Sequence, residues 1–322
     1  MKKIVLISLG ILIYLTGFSQ QEAIYSQYML NPFTINPAIS STEDYIDLQS
    51  GYRNQWLQVD GAPRTVYVTG NGTIGKPFYH LRYKAERKNW HGIGFLIQDD
   101  RIGPQQRNNF LLAYSYNIGL TNKARLSFGT FVGVKQLKID DSHWENIEDL
   151  SDDFFNSNLN TGLRPEVRFG AVLYKEKDYQ IGFSVQNALG NGWNFQSLDE
   201  ELVLARNDIE ANFTAKKVFH ISREVKVTPS TLIRVVPGSP VSADINGKFD
   251  FFKYYWTGVS LRSSRAFNVF AGLNIKKKYD VTFAYEYSLN PLSQVESGTV
   301  EIILGLRLSR RGEVLSPSQF WE

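Results

Sequence analysis

The sequence predicts an all-β protein: a transmembrane, antiparallel outer-membrane barrel of about fourteen strands with a short N-terminal periplasmic or plug segment. Three features predict it: an export pattern at the N-terminus, period-two alternation over residues 45–309, and a regular exchange of short and long connections.

The export pattern comes first in the chain. Lys2 and Lys3 precede an uncharged apolar run over residues 4–18. At roughly 15 residues the run is short for a membrane helix, which needs about 20, and suits a secretory core. Gly17 and Ser19 place small residues at the cleavage spacing, so residues 1–19 read as a signal peptide cut before Gln20. The chain has no cysteine, which excludes disulfides, thiolate metal sites, a cysteine nucleophile and a lipidated N-terminal cysteine. Without Lys2 and Lys3 the formal net charge falls from +3 to +1, which offers no electrostatic footprint for a nucleic acid.

Residues 20–44 form the periplasmic or lumen-plugging segment. Asn31-Pro32 and Asn36-Pro37 keep the residue before each proline out of the helical region, so the segment is extended or turned. Tyr25, Tyr28, Met29 and Phe33 make it too apolar to float free. It is expected to pack on the barrel floor or enter the lumen, as a plug, a docking strip or a simple cap.

The barrel follows over residues 45–309. Its last strand has Val300, Ile302, Leu304, Leu306 and Leu308 on one face and Thr299, Glu301, Gly305 and Arg307 on the other, with Ile303 the exception. Phe110, Leu112, Tyr114, Tyr116 and Ile118 oppose Asn109, Ala113, Ser115 and Asn117, and Leu126, Phe128, Val132 and Val134 oppose Arg125, Ser127, Gly129, Gly133 and Lys135. Many segments run near ten residues, where soluble strands usually run about five or six. The second strand, near Val66 and Val68, and the eighth, over residues 213–221, alternate poorly. Pro229 inside the ninth calls for a bulge or a different boundary.

Short connections at 121–123, 175–177, 222–224, 251–252 and 276–278 follow even-numbered strands, and long ones at 140–162 and 188–207 follow odd-numbered strands. Outer-membrane barrels turn short connections to the periplasm, so both termini, including the tail over residues 310–322, are expected there. The 74–88 connection is the exception. A soluble β-sandwich also alternates, but strand length, loop parity and the small or charged polar faces favour the membrane barrel. Trp56, Trp90, Tyr116 and Tyr279 near strand ends are candidates for interfacial girdles or for ordinary packing.

Inward-facing charge is expected at Asp47, Arg53, Arg125, Glu166, Arg168, Arg234, Asp244, Arg262, Glu286, Glu301 and Arg307. Opposite charges in a narrow lumen pair, because an unpaired buried charge is costly, so the reading is a braced lumen, with a polar conduit the alternative. Asp140, Asp141, Glu145, Glu148, Asp152 and Asp153 supply oxygen ligands for calcium but no EF-hand spacing, so an ordinary extracellular loop is the better reading. That loop and the stretch near Trp193 to Asp208 are the obvious surface for an extracellular partner. His80, His91, His143 and His220 are scattered, no nucleophile with an oriented base is legible, and neither an enzyme nor a cofactor is expected. Gly70-Asn71-Gly72 and the glycines of the run from Gly92 to Gly94 read as strand glycines, since no helix follows them.

The order of motifs carries one further reading. Tyr25, Ser26, Gln27, Tyr28, Met29, Asn31, Pro32, Asn36, Pro37 and Ala38 lie in the segment QEAIYSQYMLNPFTINPAIS. Tyr52, Arg53, Asn54, Gln55 and Trp56 follow, then Asp60, Gly61, Ala62 and Pro63, then Gly92, Gly94, Asp99, Gly103 and Pro104 in GIGFLIQDDRIGP. Taken together and in order, these resemble the PorP/SprF family of type IX secretion system membrane proteins. The resemblance implies a non-enzymatic barrel in the outer membrane of a Bacteroidota-type bacterium, linked to protein secretion and, in gliding species, to gliding motility. Its implied partners are outer-membrane lipid, periplasmic ring or peptidoglycan-associated subunits, and a cell-surface adhesin. The alternative is a hydrophobic small-molecule transporter resembling the fatty-acid channel family, which shares the strand number and an NPA motif like Asn36-Pro37-Ala38.

Overall fold

A computed structural model describes residues 27–43, 45–74, 89–121, 124–139, 161–176, 178–190, 192–196, 201–206, 208–252, 254–263, 266–276 and 278–309. The expectations for the signal peptide, Tyr25, Ser26, the carboxylates and His143 of the 140–160 loop, His80 and the 310–322 tail lie outside these residues.

The strands are β1 (Tyr45–Asn54), β2 (Arg64–Ile74), β3 (Trp90–Ile102), β4 (Gln105–Gly119), β5 (Ala124–Ile139), β6 (Thr161–Lys175), β7 (Tyr179–Gln186), β8 (Gly192–Gln196), β9 (Glu201–Arg206) and β10 (Glu210–Lys217). They continue with β11 (Phe219–His220), β12 (Val225–Val235), β13 (Ser242–Phe251), β14 (Tyr255–Arg262), β15 (Ala266–Ile275), β16 (Tyr279–Ser288) and β17 (Thr299–Ser309). β8 and β9 form a separate hairpin, and β11 prolongs β10. The rest make a closed antiparallel barrel of 14 strands, joined between the first and last by Tyr45 opposite Ser309 and between β10 and β12 by Ala211 opposite Val235. Closure leaves the barrel wall without a free edge, which lipid demands because it offers no hydrogen bonds to an exposed backbone.

The wall is inverted relative to a soluble sandwich. Leu112, Phe128, Val132, Phe169, Phe183, Ile245, Leu261, Phe283 and Leu304 point outward and are exposed, while Asn109, Ser115, Ser127, Arg168, Asp244 and Glu301 point inward and are buried. No helix among the described residues is long and apolar enough to cross a membrane.

The weakly patterned strands have local causes. On β2 the buried residues Thr65, Tyr67, Thr69, Asn71 and Thr73 all face inward, but Gly70 and Gly72 take outward positions where bulky residues were sought. Phe95 covers Gly70 and Ile46 lies over Gly72, so neighbouring strands supply the missing apolar surface. Pro229 needs neither a bulge nor a new boundary. It stays in register opposite Gly247 of β13, and on its other side the ladder lapses between β10 and β11, where Val218 bonds instead to the Asp178 carbonyl at 2.7 Å. The missing N–H therefore costs the barrel only a short gap.

Strands β3 to β6 contain 13, 15, 16 and 15 residues, against 8 each in β7, β10 and β14. One side of the wall is thus taller than a hydrocarbon belt of about 25 Å requires.

Candidate functional site

The described N-terminal residues lie inside the barrel. Each Asn-Pro pair opens a 3-10 turn, Pro32–Thr34 and Pro37–Ser41, where proline at the first helical position needs no N–H and its φ is already set. Asn36 caps the second turn by accepting from the Ala38 amide at 3.0 Å. Its Nδ2 reaches the wall and donates to the carbonyls of Ala171 at 3.3 Å and Phe183 at 3.1 Å.

The wall is shaped to receive these turns. A Cβ at Gly170 would stand 2.0 Å from Asn36 Oδ1, one at Gly129 2.5 Å from the Ala38 nitrogen, and one at Gly94 2.6 Å from the Phe33 ring. Those glycines form dimples on β6, β5 and β3. Phe33 packs on Phe131 with ring centroids 5.0 Å apart. Tyr28, Phe33, Ile35, Ala38 and Ile39 join Tyr67, Leu96, Leu111, Phe131, Val172, Tyr174 and Leu232 in the buried hydrophobic cluster. The inward apolar exceptions to the alternation are thus the wall's share of a core that the N-terminal segment completes.

Polar contacts fix its position around the circumference. Asn31 donates to Thr69 Oγ1 at 2.9 Å, Asn246 to the Tyr28 hydroxyl at 2.7 Å, and Ser127 Oγ to the Ala38 carbonyl at 2.8 Å. Ser40 and Ser115 share a 2.8 Å bond, and Gln27 and Gln49 tie the chain to the Glu301 and Leu30 carbonyls. Met29 packs against the cluster edge.

Nearer the end of the barrel that carries the 55–63 and 289–298 connections, charge replaces hydrocarbon. Glu286 accepts from Arg53 at 3.2 Å and from Arg262 at 3.3 Å, and Arg262 also donates to Asp244 at 2.9 Å. Arg53 lies 3.7 Å from Glu301. These long side chains link β1, β13, β14, β16 and β17 across the strands between them. On the facing wall Arg168 bonds Glu166 at 3.0 Å and Arg234 pairs with Glu210 at 3.1 Å. Lys135 joins Asn187 at 2.7 Å and Glu166 at 3.9 Å. Lys135 and Glu210 were not among the charges expected: Lys135 was legible on the polar face of its strand, and Glu210 precedes the start assigned to the poorly patterned eighth strand.

Asp47, Arg125 and Arg307 lie apart from this ring. Asp47 accepts from Gln49 at 2.8 Å, and Arg307 pairs with Asp280 at 2.6 Å near the opposite end. Arg125 stacks 3.3 Å over the Trp90 ring, and Trp90 is buried in the lumen. The girdle expectation therefore fails for Trp90: it alternates with outward His91 and Ile93, so its side chain cannot face lipid. Tyr279 is exposed on the outer wall, and Tyr116 binds Asn89 and stacks on His91 there.

The later motif residues from Gln55 to Pro63, with Gly103, meet at the rim. Gln55 N bonds the Pro63 carbonyl at 2.9 Å, closing the loop that carries Trp56, Asp60, Gly61 and Ala62. Gly103 N donates to the Gly61 carbonyl at 2.9 Å, and Leu57 exchanges hydrogen bonds of 2.9 Å with Gly298 and Ser297. Gly103 and Gly298 have φ of 55° and 87°, which favours glycine. Three stretches far apart in sequence are thereby one rim assembly. Tyr52 and Asn54 face outward on β1, Arg53 inward, and Pro104 completes the turn after Gly103. Asp99, on the outer wall below, accepts from Arg101 at 3.2 Å and Gln106 at 2.6 Å, while Gly92 and Gly94 face the lumen. Among the described residues no group of three or more histidines and carboxylates is placed to hold a metal ion.

The CymD monoaromatic hydrocarbon channel superposes with a TM-score of 0.52 over 89% of this chain and 93% of that one, at 9% identity. A Pseudomonas aeruginosa FadL homologue gives 0.46 at 10% identity, and the P. putida toluene transporter TodX 0.44 at 8%, each over 85% of this chain and 92% of the other. At such identities the CymD likeness speaks for the barrel fold alone, and the two lower scores add nothing to it. No curated protein matches the sequence. The profile described as type IX secretion system membrane protein PorP/SprF matches residues 17–306. The chain belongs to the PorP/SprF family of type IX secretion system membrane proteins.

Proposed function

We propose that this outer-membrane barrel is a non-catalytic coupling component, joining the periplasmic type IX machinery to the export or surface attachment of one adhesin. The observation that carries the reading is the rim assembly of Gly61, Gly103, Leu57 and Gly298, which ties the motif-bearing stretches at 52–63 and 92–104 to the chain just before the last strand. Residues 1–19 act as the export signal. Apart from the connection between Ile74 and Trp90, the turns at one end are short, and with the long 140–160 and 187–209 connections at the other they support an arrangement with both termini in the periplasm and the rim outside. In that arrangement the N-terminal segment plugs the lumen from the periplasmic side, and its upstream residues are the strip offered to ring or peptidoglycan-associated subunits.

The buried ion pairs at the outer half of the lumen weigh against the alternative of a hydrophobic small-molecule path, since an apolar cargo would meet arginine and glutamate along the wall. The test is affinity purification of the native protein from membranes in mild detergent. A large surface adhesin and periplasmic subunits are expected to co-purify, and replacing residues 57–61 with a Gly-Ser stretch removes the adhesin while sparing the subunits. Recovery of the barrel with lipid alone would overturn the reading.

A further inference from the structure

Near the rim, the exposed outward cations among the described residues lie on one side of the wall. Arg64, Arg101 and Lys138 are exposed, and each alternates with a buried neighbour, Thr65, Asp100 and Leu137, so all three face outward. The register sets them in one row across four adjacent strands: Arg64 opposite Arg101, Arg101 opposite Gln106, Gln106 opposite Lys138. Directly opposed like charges such as Arg64 and Arg101 repel in a sheet. A bound anion turns that repulsion into a cradle.

Asp99 is the acid beside the row, bonded to Arg101 and Gln106, and Asp60 is exposed in the adjacent loop. Asn108 and Gln136, 3.3 Å apart, extend the polar patch one step toward the membrane. Beyond them the wall becomes apolar, with Val68, Ile97, Phe110 and Val134 exposed. Across the barrel the exposed outward residues near the same edge include Val235, Leu261, Phe267 and Tyr287, and among the described residues there none is an outward cation. Phosphate-binding chemistry is thus placed at the top of a surface that acyl chains cover, on the tall side of the wall.

We propose that this row binds the phosphate groups of a phosphorylated glycolipid in the outer leaflet, with the acyl chains lying along the apolar wall of β2 to β5. Guanidinium groups suit the task because they meet phosphate oxygens with two parallel hydrogen bonds. The continuous apolar surface below selects a lipid over free phosphate. The inference rests on the proposed orientation with the rim outside.

Native mass spectrometry of the full chain in detergent tests it, with bisphosphorylated lipid A, dephosphorylated lipid A, inorganic phosphate and phosphatidylglycerol as probes. Bisphosphorylated lipid A is expected to bind best, and to bind at least tenfold more weakly to the R64Q/R101Q variant, while R64K/R101K, which keeps the charge and loses the paired hydrogen bonds, binds at an intermediate level. The lysine variant separates loss of charge from loss of fold. Equal binding by parent and glutamine variant, equal binding of the dephosphorylated lipid, or an equal response to inorganic phosphate overturns the proposal. Preference for phosphatidylglycerol overturns it through the orientation. Adhesin co-purification by the same variants is read separately, so the proposal can fail while the coupling function stands.

Discussion

Gly170→Ala tests the seating of the N-terminal segment with the smallest possible change. In an ordinary strand this substitution is favourable by roughly 0.5–1 kcal/mol, because glycine loses more freedom on folding. Here the added Cβ would stand 2.0 Å from Asn36 Oδ1. Asn36 must withdraw, giving up its bonds to the Ala171 and Phe183 carbonyls and its cap on Ala38. At about 1 kcal/mol for each bond the loss is roughly 3 kcal/mol, leaving a net cost of about 2 kcal/mol after the backbone gain. That corresponds to an unseated fraction raised roughly 30-fold. Because the chain has no cysteine, a single Ser40→Cys substitution supplies a clean reporter at a buried position. Labelling by a water-soluble thiol reagent is expected to accelerate by about that factor in the G170A background. Gly247→Ala, whose Cβ would meet only Phe249 at 3.7 Å, is the control and leaves the rate unchanged. A G170A rate within twofold of the parent would refute the wall-dimple argument.

Gly298→Ala places a side chain at φ 87° and 2.4 Å from the Tyr285 hydroxyl, so adhesin co-purification falls while the heat-modifiable gel shift of the barrel persists. Asp178, in the turn after β6, has its carboxyl lowered to about 2 by hydrogen bonds from Lys175 and Lys217. Its folded value lies below the unfolded one, so its contribution to stability is present above the ordinary carboxylate range and vanishes as pH falls through about 2. The melting temperatures of D178N and the parent converge there and separate at neutral pH. Planar-bilayer conductance of a chain lacking residues 21–39 rises above that of the parent, which stays closed, and equal conductance would contradict the plug.

The inner and outer faces were legible in sequence wherever a strand carried both large apolar and polar residues, as in β4, β5 and β17. Legibility failed where one strand borrowed surface from another. Gly70 and Gly72 hide the outer face of β2 because Phe95 and Ile46 cover it. Leu111, Phe131 and Ile303 break the alternation by facing inward, and Phe131 does so to meet Phe33, a partner far away in sequence. Trp90 looks like an interfacial aromatic until Arg125 is placed above it. The residues that line the lumen charge ring were largely readable, since period two fixes the face. Which charge meets which was not, because Arg53, Arg262 and Glu286 bridge strands that are not neighbours.

The two layers inside the barrel differ in what holds them, and that difference predicts how each fails. The ring is made of side chains rooted in the wall itself, and Arg53 and Glu301 are 1% exposed. Arg53→Ala takes one arginine from Glu286 and from Glu301, and breaking a buried pair from one side costs roughly 3–5 kcal/mol. That cost falls on the barrel, so its denaturant midpoint drops. The described part of the N-terminal segment forms no strand with the wall; dimples, aromatic packing and a few side-chain bonds hold it. Unseating it in G170A leaves every strand ladder intact, and the barrel midpoint stays close to that of the parent while Ser40→Cys labelling rises. Equal midpoint losses in R53A and G170A would mean that the segment is part of the folding unit of the barrel and not a separable insert.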